Sequence, residues 1–398
     1  MKMQIAVHPR ILKFRINALA AVLIVLMGIG FVVALVRFGS GIGAISNLNN
    51  TYPWGFWISF DIFTGIAISS GAFLLAAAVY ILDLRDLRPL LVPSILTALI
   101  GYLMEVLALM VDLGRPERIL NMLFYQNYTS HMLVVGLCVM IYLVILMLEF
   151  APTVLTGIGR EPLARLSRKV LLPVVIVGVV VSTVHQGSLG SLLLIQSAKL
   201  HPLWWTPLLP VMFFFSSIPI GLAMIIFESS LTSRYFQRAL EIHLLERLAK
   251  AIPFALAAYL VLRIGQLAIS GDLRFVLGSG GFSVLFGLEI VFGCLVPLAM
   301  FSTPNIRTRP RWLLTGAVSL LLGMLLNRFN VSWFGIHRLT DLGYVPSAAE
   351  LSISAAIFSF GILAFGLAAK YLPVLATDAE PARAPQRTLV SSAKAGTD

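Results

Sequence analysis

Charged residues are scarce in this chain. They make up 12% of its 398 residues, against roughly 25% in an ordinary soluble domain. Hydrophobic residues account for 59%. A soluble globular protein is excluded, because so few polar side chains cannot cover the water-facing surface of a chain this long. The composition indicates a protein whose main solvent is the lipid bilayer.

Cysteine is scarcer still. The chain has two, Cys138 and Cys294, and each lies inside a long apolar run with no CxxC spacing. A disulfide framework is therefore excluded. An iron–sulfur cluster held by this chain alone is excluded as well, because a cluster needs more cysteine ligands than these.

Long apolar runs dominate the sequence instead. Ten of them can cross a hydrocarbon core of roughly 30 Å as helices of about 20 residues. The first run exceeds the ~7–15-residue core of a signal peptide and lacks a small-residue cleavage site, so we expect it to stay in the protein. The predicted spans are residues 16–38, 57–82, 91–112, 130–150, 168–186, 207–229, 252–270, 281–301, 311–328 and 350–372.

The sequence thus predicts an all-α polytopic membrane protein with three parts. Residues 1–15 form a cytoplasmic N-terminal segment, and residues 16–372 form a ten-helix transmembrane domain. Residues 373–398 are rich in Ala, Pro, Ser and Thr, so they are expected to be a disordered cytoplasmic tail.

Lysine and arginine are unevenly divided between alternate loops. With the N-terminus inside the cell, 21 of the 29 basic residues fall in the tails and cytoplasmic loops, 7 are assigned to the outer loops, and Arg263 lies in a span. The 7 outer residues are Arg37, Arg115, Arg118, Lys199, Arg274, Arg328 and Arg338. The positive-inside rule therefore predicts cytoplasmic termini in a bacterial inner membrane. Topology explains the net charge of +11, and no nucleic-acid partner is expected.

Polar residues gather at the outer ends of the predicted spans. Cytoplasmic loops, by contrast, are short and hold mostly Arg, Lys and helix breakers. Chemistry is therefore expected at the outer face. The outer polar segments are LNNTYPWGFW (48–57), DLGRPER (112–118) with His131 beyond it, STVHQGSLGS (182–191) and a last long loop (327–346).

Ionisable residues also occur within the spans, where each costs roughly 2.5–3.5 kcal/mol at mid-bilayer. Glu105 and Asp112 are seven residues apart, so they share one helix face at a separation of about 10 Å. Such groups indicate a proton route by default. The predicted route comprises Asp61, Glu105, Glu149, Glu228, Arg263, Gln266 and Glu289.

Structural roles compete with these assignments. Arg263 is equally expected to neutralise Glu289 or Glu105 in an internal salt bridge. Glu149 and Glu228 lie close to the predicted cytoplasmic boundary, where a solvated helix end is favoured over a point at which protons enter.

The outer-face residues have alternatives of their own. Asp112 suits a tight turn, and His131 suits a polar anchor at a helix start. Function is favoured for His185, because Gln186 and Ser188 follow it and concentrate donors and acceptors where a span is expected to end. Interfacial belt residues are the simplest interpretation of Trp54, Trp57, Trp204 and Trp205.

A lipid-soluble quinone suits a site of this kind. Its reduction takes up two electrons and two protons, so it needs lipid access, apolar or aromatic walls, a histidine donor and an acid that restores the proton. Asp112, His131 and His185 at one membrane face meet these needs. The chain offers no electron source, and a partner outside the membrane must deliver the electrons.

Several segments carry a family resemblance. YPWGFWISFDIFTGIAISSGAFLLAAAVY (52–80), DLGRPER (112–118), HQGSLGSLL (185–193) and HPLW (201–204) resemble the quinone-interacting integral membrane subunits of the polysulfide reductase and NrfD family. The nearest likeness is to the ten-span HybB-type subunits of periplasmic [NiFe] uptake hydrogenases. The similarity covers roughly residues 15–375, and its specificity rests on the conjunction of these motifs in this order.

The resemblance implies a subunit of two four-helix bundles with peripheral helices, without haem or metal of its own. It would bind menaquinone or ubiquinone near the periplasmic face and dock a periplasmic iron–sulfur ferredoxin-like subunit. That subunit would link it to the large and small subunits of a hydrogenase or to another catalytic subunit. By position, the quinone pocket would comprise Asp112, Arg115, His131, His185, Gln186 and Ser188. The partner-docking segment would comprise Tyr52, Pro53, Trp54 and Trp57.

One position departs from the family pattern. HybB-type subunits have an acid three residues after the arginine of the seventh span, where this chain has Gln266. The proton route is therefore expected to differ here and to use Glu105 and Glu289.

Two other classes compete with this interpretation. A membrane cytochrome b needs two histidines at matching depth, and His131 and His185 are the pair that share a side. A secondary transporter would use the acids within the spans, but the internal repeats common in such folds are not evident. Within the family, polysulfide or nitrite reduction and quinol oxidation share the scaffold with hydrogen oxidation, which HQGSLGS and HPLW favour.

Overall fold

A computed structural model describes residues 18–50, 52, 54–336 and 343–375. This part is 82% helical and contains ten helices long and apolar enough to cross a membrane, as predicted. Helices form because every backbone N–H and C=O must be paired within the segment in hydrocarbon. They are α1 (Ala18–Ser40), α2 (Trp57–Ile81), α3 (Arg85–Asp112), α4 (His131–Gly157), α5 (Leu171–Gln196), α6 (Leu209–Tyr235), α7 (Ile242–Ile269), α8 (Gly281–Ser302), α9 (Pro310–Phe334) and α10 (Ala348–Tyr371).

Three of the helices that extend beyond their predicted ends do so past a polar residue. The sequence predicts that α4 ends near Glu149, α5 at Gln186 and α6 near Glu228, yet these helices run on to Gly157, Gln196 and Tyr235. All three polar side chains are buried against neighbouring helices. A polar residue therefore does not mark the water boundary here, and the solvated helix ends favoured for Glu149 and Glu228 are wrong.

The predicted arrangement of two bundles is confirmed. The first bundle consists of α2 to α5 and the second of α6 to α9, each with its helices packed in a closed ring. The bundles meet where α2 and α5 contact α6 and where α2 contacts α9. The peripheral helices α1 and α10 pack along each other, and α10 also packs against α3. We call the end of the bundles that carries Asp112 the outer face.

The folded part continues slightly past α10. Residues Pro373–Leu375 form a short helical turn against α3 and α4, and Val374 is buried there. The predicted tail therefore begins later than residue 373. Residues 1–17 and 376–398, which include the predicted N-terminal segment and almost all of the tail, lie outside the described residues.

Small residues let α5 and α6 approach closely. A Cβ atom on Gly190 would lie 2.5 Å from the carbonyl oxygen of Leu209 and 2.7 Å from its carbonyl carbon, both of them backbone atoms. A Cβ atom on Gly187, one turn earlier, would meet the carbonyl oxygen of Pro210 at an ordinary 3.7 Å. The HQGSLGS segment therefore contains one glycine that packing requires and one that it does not.

Gly190→Ala is expected to destabilise the protein by about 1–3 kcal/mol, because the backbone of α6 must move to admit the methyl group. The measurement is the thermal unfolding temperature of the detergent-solubilised protein. Gly187→Ala is the matched control and should unfold at the wild-type temperature. Equal effects of the two substitutions would contradict this account of the α5–α6 contact.

Four stretches of π-helix interrupt the spans. Such widened turns are frequent at functional sites because they redirect side chains and loosen the hydrogen-bond ladder. One of them contains Asp61, and another begins two residues after Glu289. The four are Trp57–Thr64, Ala77–Ile81, Val291–Leu295 and Asn330–Phe334.

Candidate functional site

Acidic side chains from three helices gather at the outer face. Asp112 is the last residue of α3, and it lies within electrostatic range of the Arg37 guanidinium and the Glu350 carboxyl group. Asp61 on α2 lies within electrostatic range of Asp112. We call Asp61, Asp112 and Glu350 the outer acid cluster. Sequence reasoning found two of its three members and missed Glu350.

Arg37 holds the end of α3 in place. The charge count assigns this residue to an outer loop, but it belongs to α1 and is 3% exposed. Its guanidinium donates to the carbonyl oxygen of Val111 at 2.6 Å and to that of Leu113. These bonds satisfy carbonyls that the helix end leaves unpaired. Arg37 therefore fixes the backbone on both sides of Asp112 and places a positive charge near the acid.

Asp61 lies one turn inside α2, in the first π-helical stretch, and is 4% exposed. One of its carboxyl oxygens accepts a hydrogen bond from the Ser354 hydroxyl of α10 at 2.5 Å. The other oxygen, Oδ1, has no hydrogen-bond partner among the described residues. A buried carboxyl group with a free oxygen can bind a donor from a ligand or from water.

Aromatic rings form an apolar wall beside Asp61. Phe60 stacks on Phe56 and on Phe358, with ring centroids 5.1 and 5.0 Å apart. Phe358 lies one turn beyond Ser354 on α10, and all three rings are partly exposed at the surface of the bundle. The wall therefore combines a partly exposed apolar surface with an adjacent acid.

Glu350 is fully buried at the start of α10 and acts mainly as a structural acceptor. Its carboxylate accepts from the Tyr344 hydroxyl at 2.5 Å, the Ser347 N–H at 2.7 Å and the Asn47 N–H at 3.2 Å. Together with Ser347 it forms a capping box. Burial, together with its bond to Glu350, raises the pKa of Tyr344 above its usual range, so the phenol remains a donor.

The predicted partner-docking segment is partly internal. Trp57 is 1% exposed, and its indole N–H donates to the carbonyl oxygen of Glu350 at 3.3 Å, so it lies in the core rather than on a docking surface or in an interfacial belt. Tyr52 stacks on Tyr344 at 6.0 Å, and Trp54 is half-buried. Pro53 lies outside the described residues.

A second group of polar side chains lies deeper in the first bundle. The Tyr102 hydroxyl and His185 Nδ1 are 2.7 Å apart, and His185 Nε2 is 3.8 Å from a Glu105 carboxyl oxygen. His185 and Glu105 are fully buried, and Tyr102 is 1% exposed. Neither Glu105 oxygen nor His185 Nε2 has a hydrogen-bond partner in the described part of the chain. We call Tyr102, Glu105 and His185 the inner triad.

The predicted pocket residues do not lie at the same depth along the helix axes. Glu105 lies seven residues before Asp112 on α3, so the inner triad is about 10 Å deeper than Asp112. His131 is the first residue of α4, eleven residues from Tyr142, whose ring packs edge-to-face on Tyr102 at 4.9 Å. At 1.5 Å per residue, His131 is about 16 Å from the level of the triad.

Other predicted pocket residues have local partners. The Gln186 amide donates to the carbonyl oxygen of Ile66 at 3.0 Å and joins α5 to α2. The Ser188 hydroxyl donates to the carbonyl oxygen of His185 at 2.8 Å, within its own helix. Arg115 is exposed in the outer loop and His131 is partly exposed at the start of α4. Roles of these four residues in ligand binding stay predictions.

Polar groups continue from the triad toward the opposite face. Tyr142 is 1% exposed, and Glu149 lies seven residues further along α4, or about 10 Å. One carboxyl oxygen of Glu149 has no hydrogen-bond partner among the described residues. Glu228 on α6 accepts from the Thr97 hydroxyl of α3 at 2.7 Å. The first bundle and its border with α6 therefore contain a file of buried polar side chains.

The remaining predicted residues lie in the second bundle. Arg263 pairs with Glu289 at 3.9 Å, which confirms one of the two predicted salt bridges. Glu289 also accepts from Trp204 at 2.8 Å, so the belt interpretation of this fully buried tryptophan is wrong. Arg328, which the charge count assigns to an outer loop, is also buried. Gln266 donates to the Ser270 hydroxyl at 3.3 Å and is not part of this cluster.

These features define a class of protein: a ten-helix integral membrane protein with a buried file of acid, tyrosine and histidine side chains in one bundle. The chain belongs to the polysulphide reductase NrfD family, whose model matches residues 44–339.

Relatives cover nearly the whole chain. A protein of Nitratidesulfovibrio vulgaris (strain Hildenborough) is 35% identical over 88% of this chain and 92% of its own length. The probable Ni/Fe-hydrogenase 2 b-type cytochrome subunit of Escherichia coli (strain K12) is 30% identical over 85% of this chain and 88% of its own length. The menaquinone reductase integral membrane subunit of the same Nitratidesulfovibrio strain is 25% identical over 90% and 92%, respectively.

The Escherichia coli relative is named as a b-type cytochrome subunit, so we tested whether the side chains of this protein could hold a b-type haem. A b-type haem between two histidines requires both of them at matching depth on neighbouring helices. Among the described residues, His185 is the only histidine more than one turn inside a span, and its Nδ1 is bonded to Tyr102. The described side chains therefore do not fit a bis-histidine haem.

Proposed function

We propose that this chain is the quinone-binding membrane subunit of a multi-subunit oxidoreductase, with a [NiFe] uptake hydrogenase as its catalytic partner. It passes electrons from a periplasmic iron–sulfur subunit to menaquinone or ubiquinone, with coupled proton transfer. The observation that carries the proposal is the position of Asp61, within electrostatic range of Asp112, beside partly exposed aromatic rings and at the outer end of a file of buried polar side chains. Family membership and the menaquinone reductase relative support it.

The outer acid cluster fits the demands of a quinone. A bound quinone supplies two carbonyl oxygens that take up electrons and protons. Phe60 and Phe358 offer an apolar surface to its ring or tail, and Asp61 Oδ1 is free to carry a proton to a carbonyl oxygen. Asp112 exchanges protons with the same site, while Arg37 holds its backbone rigid. Arg115 and His131 are proposed to border the site at the surface.

The inner triad and the acids below it are proposed to conduct protons through the first bundle. His185 Nε2 and the Glu105 carboxyl group face each other without other partners among the described residues, so a proton can be held between them. The steps from Asp112 to Glu105 and from Tyr142 to Glu149 are each about 10 Å along the axis, so water molecules must bridge them. Arg263, Gln266 and Glu289 lie in the second bundle, and the proposed route leaves them out.

The electrons are proposed to come from an iron–sulfur partner. Cys138 and Cys294 are buried in different bundles, which leaves this chain without the ligands for a cluster. The outer loop carries apolar side chains for docking, since Phe124 is 77% exposed and Tyr125 and Tyr128 are each 80% exposed. This loop is proposed to bind the partner together with the segment predicted around Tyr52 and Trp54. The charge distribution favours cytoplasmic termini in the inner membrane, with the outer acid cluster on the periplasmic side.

Asp61→Asn is expected to weaken binding of a quinone-site inhibitor to the purified complex by ten- to a hundred-fold. A hydrogen bond to an ionisable group contributes about 1.5–3 kcal/mol, and each ~1.4 kcal/mol corresponds to a factor of ten in the dissociation constant. The measurement is the inhibitor concentration that halves quinone reduction.

Ser191→Ala is the matched control for inhibitor binding, because its hydroxyl bonds to the backbone of its own helix and it is not among the predicted pocket residues. It should leave the inhibitor affinity unchanged. Unchanged inhibitor affinity in Asp61→Asn would move the quinone site away from the outer acid cluster.

Purification of the intact complex tests the identity of the catalytic partner. Co-purification with an iron–sulfur subunit and hydrogenase subunits, together with hydrogen-dependent quinone reduction, is the expected result. Relatives of this chain are named for other reactions too, and one from Mesobacillus selenatarsenatis is named as part of a selenate reductase. A different catalytic subunit in the complex would refute the hydrogenase assignment but not the quinone site.

A further inference from the structure

The second bundle encloses a polar cluster that the proposed function does not use. Glu289 lies at its centre and accepts from Trp204 at 2.8 Å, Asn327 at 2.8 Å and Asn330 at 2.7 Å. With Arg263 3.9 Å from it, the carboxylate is surrounded by donors from three neighbouring segments. Glu289 is 1% exposed, so its charge is held inside the protein.

The cluster holds more positive than negative charge. Arg263 and Arg328 are 1% and 2% exposed, and Glu289 is the carboxylate that faces them. The Arg328 guanidinium donates to Asn327 at 2.8 Å and to the Ser216 hydroxyl at 2.7 Å, both neutral groups. No carboxylate of the described residues lies within 4.0 Å of it. One buried positive charge therefore has no carboxylate of its own, and the Phe213 ring, whose centroid is 4.0 Å from the guanidinium carbon of Arg328, compensates only part of it.

Three N–H donors of these arginines are also unpartnered. Arg263 Nε, Arg263 Nη2 and Arg328 Nε are buried, and none has a hydrogen-bond acceptor in the described part of the chain. Buried donors that lack an acceptor are rare in native proteins and indicate an unassigned ligand, ion or water.

Both arginines line one small cavity. It has a volume of about 10 Å³, which is enough for a single occupant the size of a water molecule. Tyr259 and Asn327 are the other polar residues at its wall. The rest of the lining is apolar and consists of Leu209, Met212, Phe213 and Val331.

We propose that this cavity binds one small monovalent anion of the halide class. Guanidinium N–H groups line it and carry a positive charge that is only partly compensated, and this pairing selects an anion over a cation. The volume excludes sulfate, phosphate and organic anions and, among the halides, favours the smaller ones such as chloride. A water molecule would accept hydrogen bonds from the donors but would not compensate the positive charge. A halide accepts the hydrogen bonds and also compensates the charge. The site does not rest on the proposed function, since it lies in the other bundle.

The test is thermal unfolding of the purified complex at constant ionic strength, with gluconate replaced stepwise by chloride. A ligand that binds only the folded state raises the unfolding temperature as its concentration passes the dissociation constant. Chloride should raise it with saturation, whereas sulfate, which stabilises folded proteins by exclusion from their surface, should raise it without saturation. Equal unfolding temperatures in chloride and gluconate would overturn the proposal and leave water as the occupant.

Two variants test whether the chloride response arises at this cavity. Arg328→Met should abolish the chloride response, and Glu289→Gln should lower the half-saturating chloride concentration at least tenfold, because it removes the competing negative charge. Arg37→Met is the matched control: it also loses a buried guanidinium, so its unfolding temperature falls, but its chloride response should persist. A chloride response that survives in Arg328→Met, or that is lost in Arg37→Met, would overturn the site. If Arg328→Met does not fold, the anion series on the wild type decides.

Discussion

Replacement of Asp112 by asparagine is expected to lower quinone reduction by the complex about 100-fold or more, the size of effect that a proton-transferring side chain contributes. The amide keeps the shape of the side chain, and Arg37 still holds the backbone through Val111 and Leu113. Assembly should therefore be normal. The measurement is quinone reduction by the purified complex, compared with reduction of a soluble dye by its catalytic subunit, which should be unchanged.

Two further variants serve as controls for Asp112→Asn. Asp112→Glu keeps an acid at the end of α3 and should retain a substantial part of the turnover. Glu117→Gln removes an exposed acid from the same outer loop and should have no effect. Wild-type quinone reduction in Asp112→Asn would refute the proposed role, whereas loss of assembly would assign the residue to structure instead.

Replacement of Glu105 by glutamine is expected to lower turnover by a similar factor of about 100 while leaving the affinity for a quinone-site inhibitor unchanged. Glu105 lies about 10 Å below Asp112, so it is too deep to contact a ligand at the outer acid cluster. Its loss interrupts proton movement past His185, which is 3.8 Å away. The measurements are quinone turnover and inhibitor affinity in the same preparation.

Ser69→Ala is the control for Glu105→Gln, because Ser69 is buried on α2 next to Gly101 of α3 and donates only to its own helix. It should keep wild-type turnover. His185→Asn should reproduce the Glu105→Gln result, since both residues belong to the inner triad. Weakened inhibitor binding in Glu105→Gln would instead place the quinone at the level of the triad and shift the site inward.

Together, the Asp61 and Glu105 variants separate quinone binding from proton transfer. A quinone at the outer acid cluster predicts that Asp61→Asn changes inhibitor affinity and that Glu105→Gln does not. The two residues lie on different helices and share no hydrogen bond among the described residues, so their effects on stability should be independent.

The fold class and the family follow from the sequence alone. Ten apolar runs predict ten helices because the bilayer leaves the backbone no other way to pair its polar groups, and the described helices match those runs. The motifs around residues 52–80, 112–118 and 185–204 were sufficient to identify the NrfD family. The sequence was also sufficient to select Asp112 and Glu105 as candidate site residues, because helix periodicity places them on one face.

Which polar side chains meet depends on the packing of the helices. Arg37 and Glu350 approach Asp112 because the first and last helices pack against each other, a contact more than 300 residues apart in the chain. Tyr102 was missed since tyrosine is common in membrane helices, and its hydroxyl becomes significant only opposite His185. Trp57 and Trp204 are core residues rather than interfacial ones because neighbouring segments pack around them. The sequence specifies positions along each helix, but rotation about the axis and depth relative to neighbours arise from side-chain packing between helices, and these determine contact.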